Sequence, residues 1–92
     1  MNKEKLNEKI ARYFNIPLLP YTDSMDACIK EIFPRIWSVD VIGNVKEGYD
    51  VAISLGFGKG FYPGEDKNLA TAFCLAVEKL IGSMVIKEGE IE

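Results

Sequence analysis

The chain has 92 residues, 11 basic and 14 acidic side chains, a net charge of −3 and no histidine. Without histidine it lacks the commonest general base and the commonest metal ligand, which excludes zinc centres and Ser-His or Cys-His nucleophilic pairs in their usual forms. No basic cluster stands out along the sequence and no apolar run approaches the ~20 residues of a membrane span, so neither long nucleic acid nor a bilayer is an expected partner.

The length fits one domain. A chain this short buries a smaller share of its surface than a larger one, so a homo-oligomer is expected. The start, Met1-Asn2-Lys3-Glu4-Lys5, lacks an apolar signal core, and the expected location is cytoplasmic. Cys28 and Cys74 both fall within apolar helical patterns, where small buried thiols are inert packing residues.

In chain order, residues 2–14 read as a helix. Asn2 is its cap, and Leu6, Ile10, Tyr13 and Phe14 recur at helical spacing. Lys3, Glu4, Lys5, Glu8 and Lys9 form its solvated face. Pro17 and Pro20 make the next stretch an extended connector. A second helix is expected to begin at Thr22, with Asp23 and Asp26 at the positive end of its dipole. Its apolar stripe is Met25, Cys28, Ile29, Ile32 and Phe33, and Pro34 ends it.

From residue 36 to 44 the period changes to two. Trp37, Val39 and Val41 point one way, Ser38 and Asp40 the other. Gly43-Asn44-Val45-Lys46-Glu47-Gly48 has the residues of a hairpin loop. Tyr49, Val51, Ile53 and Leu55 alternate with Asp50, Ala52 and Ser54 as a second strand. Gly56, Gly58 and Gly60 form the next turn, and a short third strand lies around Phe61 and Tyr62, closed by Pro63 and Gly64. The last helix is capped by Asn68, lines one broad face with Leu69, Ala72, Phe73, Ala76, Val77, Leu80 and Ile81, and stops at Gly82. Residues 84–92 are an acidic tail in which Met84-Val85-Ile86 form a short strand or a subunit contact.

The result is an α/β (α+β) domain over residues 1–83, in αα-βββ-α order. Helices must cover the small antiparallel sheet, which is not stable alone.

Several of these residues form a recognisable pattern. Tyr21-Thr22-Asp23 resembles the Tyr-Ser/Thr-x-Asp-like signature that opens the second helix in the phage ABA sandwich domain family. The strand pair around Trp37 and Val51 follows in the same order. Ala72-Phe73-Cys74-Leu75-Ala76-Val77 is similar to that family's Ala-rich terminal helix with a central Cys. Cys28 stands where the family often has Trp, and Leu69-Ala70-Thr71 where it often has Ala-Pro-Leu. The resemblance spans most of the chain. It implies an α-β-α sandwich encoded by a bacteriophage or prophage and acting in the host bacterial cytoplasm, with no enzymatic activity and no cofactor to carry over. Small phage proteins of comparable size counter bacterial immunity by sequestering nucleotide signals, and by that analogy the expected ligand is a small phosphorylated compound or nucleotide.

The candidate binding residues each have a structural reading beside the functional one. In Gly56-Phe57-Gly58-Lys59-Gly60, backbone N–H groups and a cation can cradle a phosphate; a flexible turn needs the same glycines. The GxxxxGK[ST] spacing of a P-loop is absent. Tyr62 lies beside this loop. Tyr21, Thr22 and Asp23 mark a helix start able to take an anion, or simply a capped one. Arg35 and Trp37 can pair a phosphate and stack a base, or Trp37 can be core. The carboxylates Asp23, Asp26, Asp40, Asp50, Glu65 and Asp66 have no spacing that selects them for metal binding or hydrolysis. Three readings follow: a non-enzymatic ligand-sequestering protein, a module that inhibits or adapts a host protein through a sheet edge or helices, and a metal-dependent hydrolase.

Overall fold

The computed structural model describes residues 2–36, 38–44, 46–54 and 61–91, with side chains of the last helix as far as Ser83. Helix α1 spans Lys3–Phe14. Helix α2 begins at Met25–Ala27 and runs on through a π turn, Cys28–Ile32, and a 3-10 turn, Phe33–Arg35. Strands β1 (Ser38–Asn44), β2 (Gly48–Ser54) and β3 (Tyr62–Asp66) precede the long helix α3, Leu69–Ile91. The fold is α+β, with an antiparallel three-stranded sheet in the order β1-β2-β3. No helix among the described residues is long and apolar enough to cross a membrane.

Helix α1 starts where its cap predicts: Asn2 Oδ1 accepts from the Lys5 N–H at 3.0 Å. It ends at Asn15, which takes the left-handed conformation (φ 56°) and donates its N–H to the last carbonyls, a conformation that asparagine tolerates better than most residues. Leu6, Ile10 and Ala11 are buried, while Tyr13, expected on the apolar face, is 39% exposed.

Helix α2 corrects two expectations. Its cap is Ser24, whose Oγ accepts from the Ala27 N–H at 3.2 Å, and not Thr22. The Asp23 N–H bonds the Pro20 carbonyl at 3.0 Å, closing a turn over residues 21–23 that delays the helix. Pro34 does not simply end the pattern either. Lacking an N–H, it cannot continue the α ladder. The chain instead widens, with the Phe33 N–H reaching back to Cys28 O, and then tightens into the 3-10 turn around Pro34. The wider turn spaces side chains differently from an α-helix, and Ile29 leaves the buried stripe at 50% exposure.

The β1–β2 hairpin forms as predicted, with Asn44 facing Gly48. Asn44 Oδ1 accepts from the Lys46 and Glu47 N–H groups, each at 2.9 Å. Gly43 and Gly48 both have positive φ, 138° and 97°, which favours glycine. Strand β3 runs through Pro63 and Gly64 instead of ending at them. Pro63 is tolerated because β3 is an edge strand. Gly64 faces Val51 across the ladder and lies directly under α3, where a Cβ would collide with Ala72 O and Ala76 N.

Helix α3 also differs from expectation. Gly82 keeps a helical backbone, without the positive φ of a C-terminal stop, and the helix continues to Ile91. Residues 84–86 are therefore helical rather than a strand. The helix also buries two sides, not one broad face. Ala72 and Ala76 meet the sheet at Gly64, and the Tyr62 hydroxyl lies 3.4 Å from Ser83 Oγ. On its other flank the Thr71 hydroxyl donates to Thr22 O at 2.7 Å, Lys9 pairs with Glu78 at 3.2 Å, and the Phe73 ring meets Phe33 with centroids 5.1 Å apart. The sheet thus covers one side of α3, while α1 and residues 21–35 cover another. An apolar surface nearly all the way round is what a buried helix requires.

Two substitutions test this packing. Gly64→Ala is expected to lower the unfolding free energy by roughly 3 kcal/mol, because neither backbone can yield without moving a whole element. Phe73→Ala, at a fully buried position, is expected to cost about as much through the cavity it leaves. Denaturant unfolding of both variants measures this; a loss below ~1 kcal/mol at either would misplace that face.

Candidate functional site

Among the described residues, those expected to bind a ligand are spread over several elements. Tyr21 and Thr22 are fully buried and present no surface to a ligand. The Tyr21 hydroxyl donates to Pro17 O at 2.5 Å, and burial followed by the nearby Glu31 charge raises its pKa. The Thr22 N–H donates to Asn7 Oδ1 at 3.0 Å, while its carbonyl accepts from Thr71. These bonds tie α1 and α3 to residues 21–23. Thr22 Oγ1 has no hydrogen-bond partner among the described residues. Asp23 is exposed and pairs with Lys3 at 2.9 Å. Arg35 donates to Glu31 O at 2.9 Å, back along its own helix.

Tyr62 is half-buried against α3, and Phe61 points outward at 62% exposure. The alternation expected of this strand is observed. Trp37, Gly56, Gly58, Lys59 and Gly60 lie outside the described residues. The carboxylates separate as well. Asp66 Oδ2 accepts from the Asn68 N–H at 2.9 Å, and Asn68 Oδ1 in turn caps α3 through the Thr71 N–H at 3.2 Å. Asp40, Asp50 and Glu65 share the sheet face that α3 leaves open, with Asp50 directly opposite Glu65. Among the described residues no group of three or more Cys, Asp or Glu side chains is placed to hold a metal ion.

A different surface gathers complementary chemistry. Lys5, Glu8, Lys9, Arg12 and Tyr13 of α1 line a groove of about 470 Å³ closed by Ile81 of α3. Lys5, Lys9 and Arg12 are spaced i, i+4, i+7, which puts them on one stripe of the helix. Lys9 leans on Glu78. Tyr13 stands edge-to-face against Phe14 at 5.0 Å. The groove therefore offers Lys5 and Arg12, a Lys9 already paired with Glu78, the Glu8 carboxylate, an aromatic ring and an apolar floor. The sequence places Lys5 and Lys9 on a solvated face, and the stripe is not legible there because acidic residues alternate with the cations along the chain. The helical spacing was the available signal. No family model, curated protein or solved structure matches the chain.

Cys28 and Cys74 are both free and buried, each with no exposed surface. The Cys28 thiol donates to Tyr21 O at 3.1 Å. A side-chain hydrogen bond to Cys28, followed by desolvation, pushes the Cys74 thiol far above its usual 9.0. The native state holds that proton where the unfolded chain releases it. Stability is therefore untouched below the ordinary thiol pKa and falls as pH rises past it. We expect unfolding free energy to decline above pH 9, and the decline to be shallower in Cys74→Ala. A native-state thiol reagent should modify neither cysteine. Rapid labelling without denaturant, or a pH profile identical in Cys74→Ala, would contradict the burial of this thiol.

Proposed function

We propose that this chain is a non-enzymatic binding protein that sequesters a small phosphorylated compound or nucleotide in the groove between α1 and α3. The observation that carries the proposal is the convergence of Lys5, Lys9 and Arg12 beside Tyr13 over the apolar floor of Ile81. Cations neutralise phosphate, Arg12 can do so with two parallel hydrogen bonds, and an exposed ring stacks a base. The net charge of −3 gives a phosphate no long-range attraction, so a local stripe must supply the affinity. The resemblance to the phage ABA sandwich domain family supports a phage setting, and the class of ligand follows by analogy with other small phage proteins of comparable size. The stretch Gly56-Phe57-Gly58-Lys59-Gly60, outside the described residues, is expected from its sequence to suit a phosphate as well.

A host-protein adaptor is the other reading. It is favoured by the exposure of Ile42 (73%) on the open side of the sheet and of Phe61 (62%) just before β3.

Calorimetric titration with ATP, cyclic AMP, a cyclic dinucleotide and inorganic phosphate tests the proposal. Wild type should bind at least one of these, and Arg12→Ala and Lys5→Ala should each weaken binding by about 1–3 kcal/mol, the usual loss of one charged partner. The ligand should be recovered chemically unchanged after release. Binding that survives both substitutions but fails in Lys59→Ala would move the site to the glycine-rich stretch around Lys59. Absence of binding to the whole panel would favour the adaptor reading.

A further inference from the structure

Strand β1 is an edge. Its Ser38–Asn44 ladder pairs with β2 on one side, and among the described residues no segment pairs with the other. It is seven residues long and contains none of the devices that usually protect an edge: no proline, no lysine and only one charge, Asp40. The opposite edge is different. Strand β3 has five residues, with Pro63 removing a donor and Glu65 and Asp66 adding charge. Valine and isoleucine on β1 face solvent on both sides of the sheet, Val41 at 46% and Ile42 at 73% exposure.

We propose that β1 pairs antiparallel with β1 of a second copy, about a two-fold axis through Val41, making one sheet continuous across the dimer. The register follows from symmetry and charge. Directly opposed residues in an antiparallel ladder point to the same face. A two-fold axis perpendicular to the sheet preserves that face, so the axis must pass through a residue and not between two. An axis at Asp40 sets two carboxylates directly opposite each other, which is destabilising. An axis at Ile42 leaves Ser38 and Val39 beyond the paired stretch. An axis at Val41 uses all seven residues: Ser38 faces Asn44 of the second copy, Val39 faces Gly43, Asp40 faces Ile42, and Val41 faces itself. The half-buried Val39 and the exposed Val41 then gain apolar neighbours on the α3 side, and both α3 helices lie on the same face of the joined sheet.

The test reads mass and register together. Light scattering on the wild type should give twice the 10.3 kDa of one chain. Ile42→Glu puts a like charge opposite Asp40 of the second copy at two symmetric places and should weaken dimerisation roughly tenfold. Ile42→Lys puts an opposite charge there and should keep or tighten the dimer, which a merely apolar contact at Ile42 would not allow. A short bifunctional thiol reagent should cross-link Val41→Cys to itself, but not Val39→Cys or the wild type, whose cysteines are buried. A single-chain mass at the highest soluble concentration overturns the proposal. So does a dimer that both charges at residue 42 weaken alike, or cross-linking that is equal at positions 39 and 41.

Discussion

The architecture depends on one close approach, the backbone of β3 against the backbone of α3 at Gly64. With no side chain there, Ala72 and Ala76 settle onto the strand, and the helix axis is drawn near the sheet at its N-terminal half. Only small residues on both sides permit this distance. Once α3 is fixed on the sheet, its remaining flank is apolar and must be covered. Leu6 and Ile10 of α1, with Cys28 and Ile32 of α2, join it in one core. The hydrogen bond from Thr71 to Thr22 O fixes where residues 21–23 sit on that flank, and the turn there delays the start of α2.

Because one helix serves both layers, two surfaces are left without cover and they differ in character. The outward face of α1 displays Lys5, Lys9 and Arg12. The open face of the sheet displays Asp40, Asp50 and Glu65. A net charge of −3 thus conceals two local fields of opposite sign. Such fields matter only within about a Debye length, ~8 Å at physiological salt, so position on the fold outweighs the sum over the chain.

Much of this order was legible in the sequence because it rests on local rules. The caps at Asn2 and Asn68, the hairpin at Gly43 and Gly48, and the period-two runs of β1 and β2 each follow from a few adjacent residues. What the sequence concealed depends on contacts made across the fold. Gly64 reads as a strand terminator until α3 is seen to pass over it. Gly82 reads as a helix stop, yet a glycine stops a helix only by adopting a left-handed backbone, and here it does not. Thr22 has the chemistry of a cap, but Ser24 takes that role. The cationic stripe was hidden for a simpler reason: its members are three and four residues apart, interleaved with Glu8, and form a patch only once α1 is wound.

The central claim is that α3 is held from both sides and cannot open unless the sheet and the N-terminal layer open with it. Native-state amide hydrogen exchange tests this most directly. The amides of Ala72 to Ile81 should exchange last and with the free energy of global unfolding, while the end of α1 near Phe14 opens more cheaply. If Ala76 instead exchanges through an opening of lower free energy than Ile10 of α1 or Val51 of β2, α3 is not the shared core and the account is contradicted.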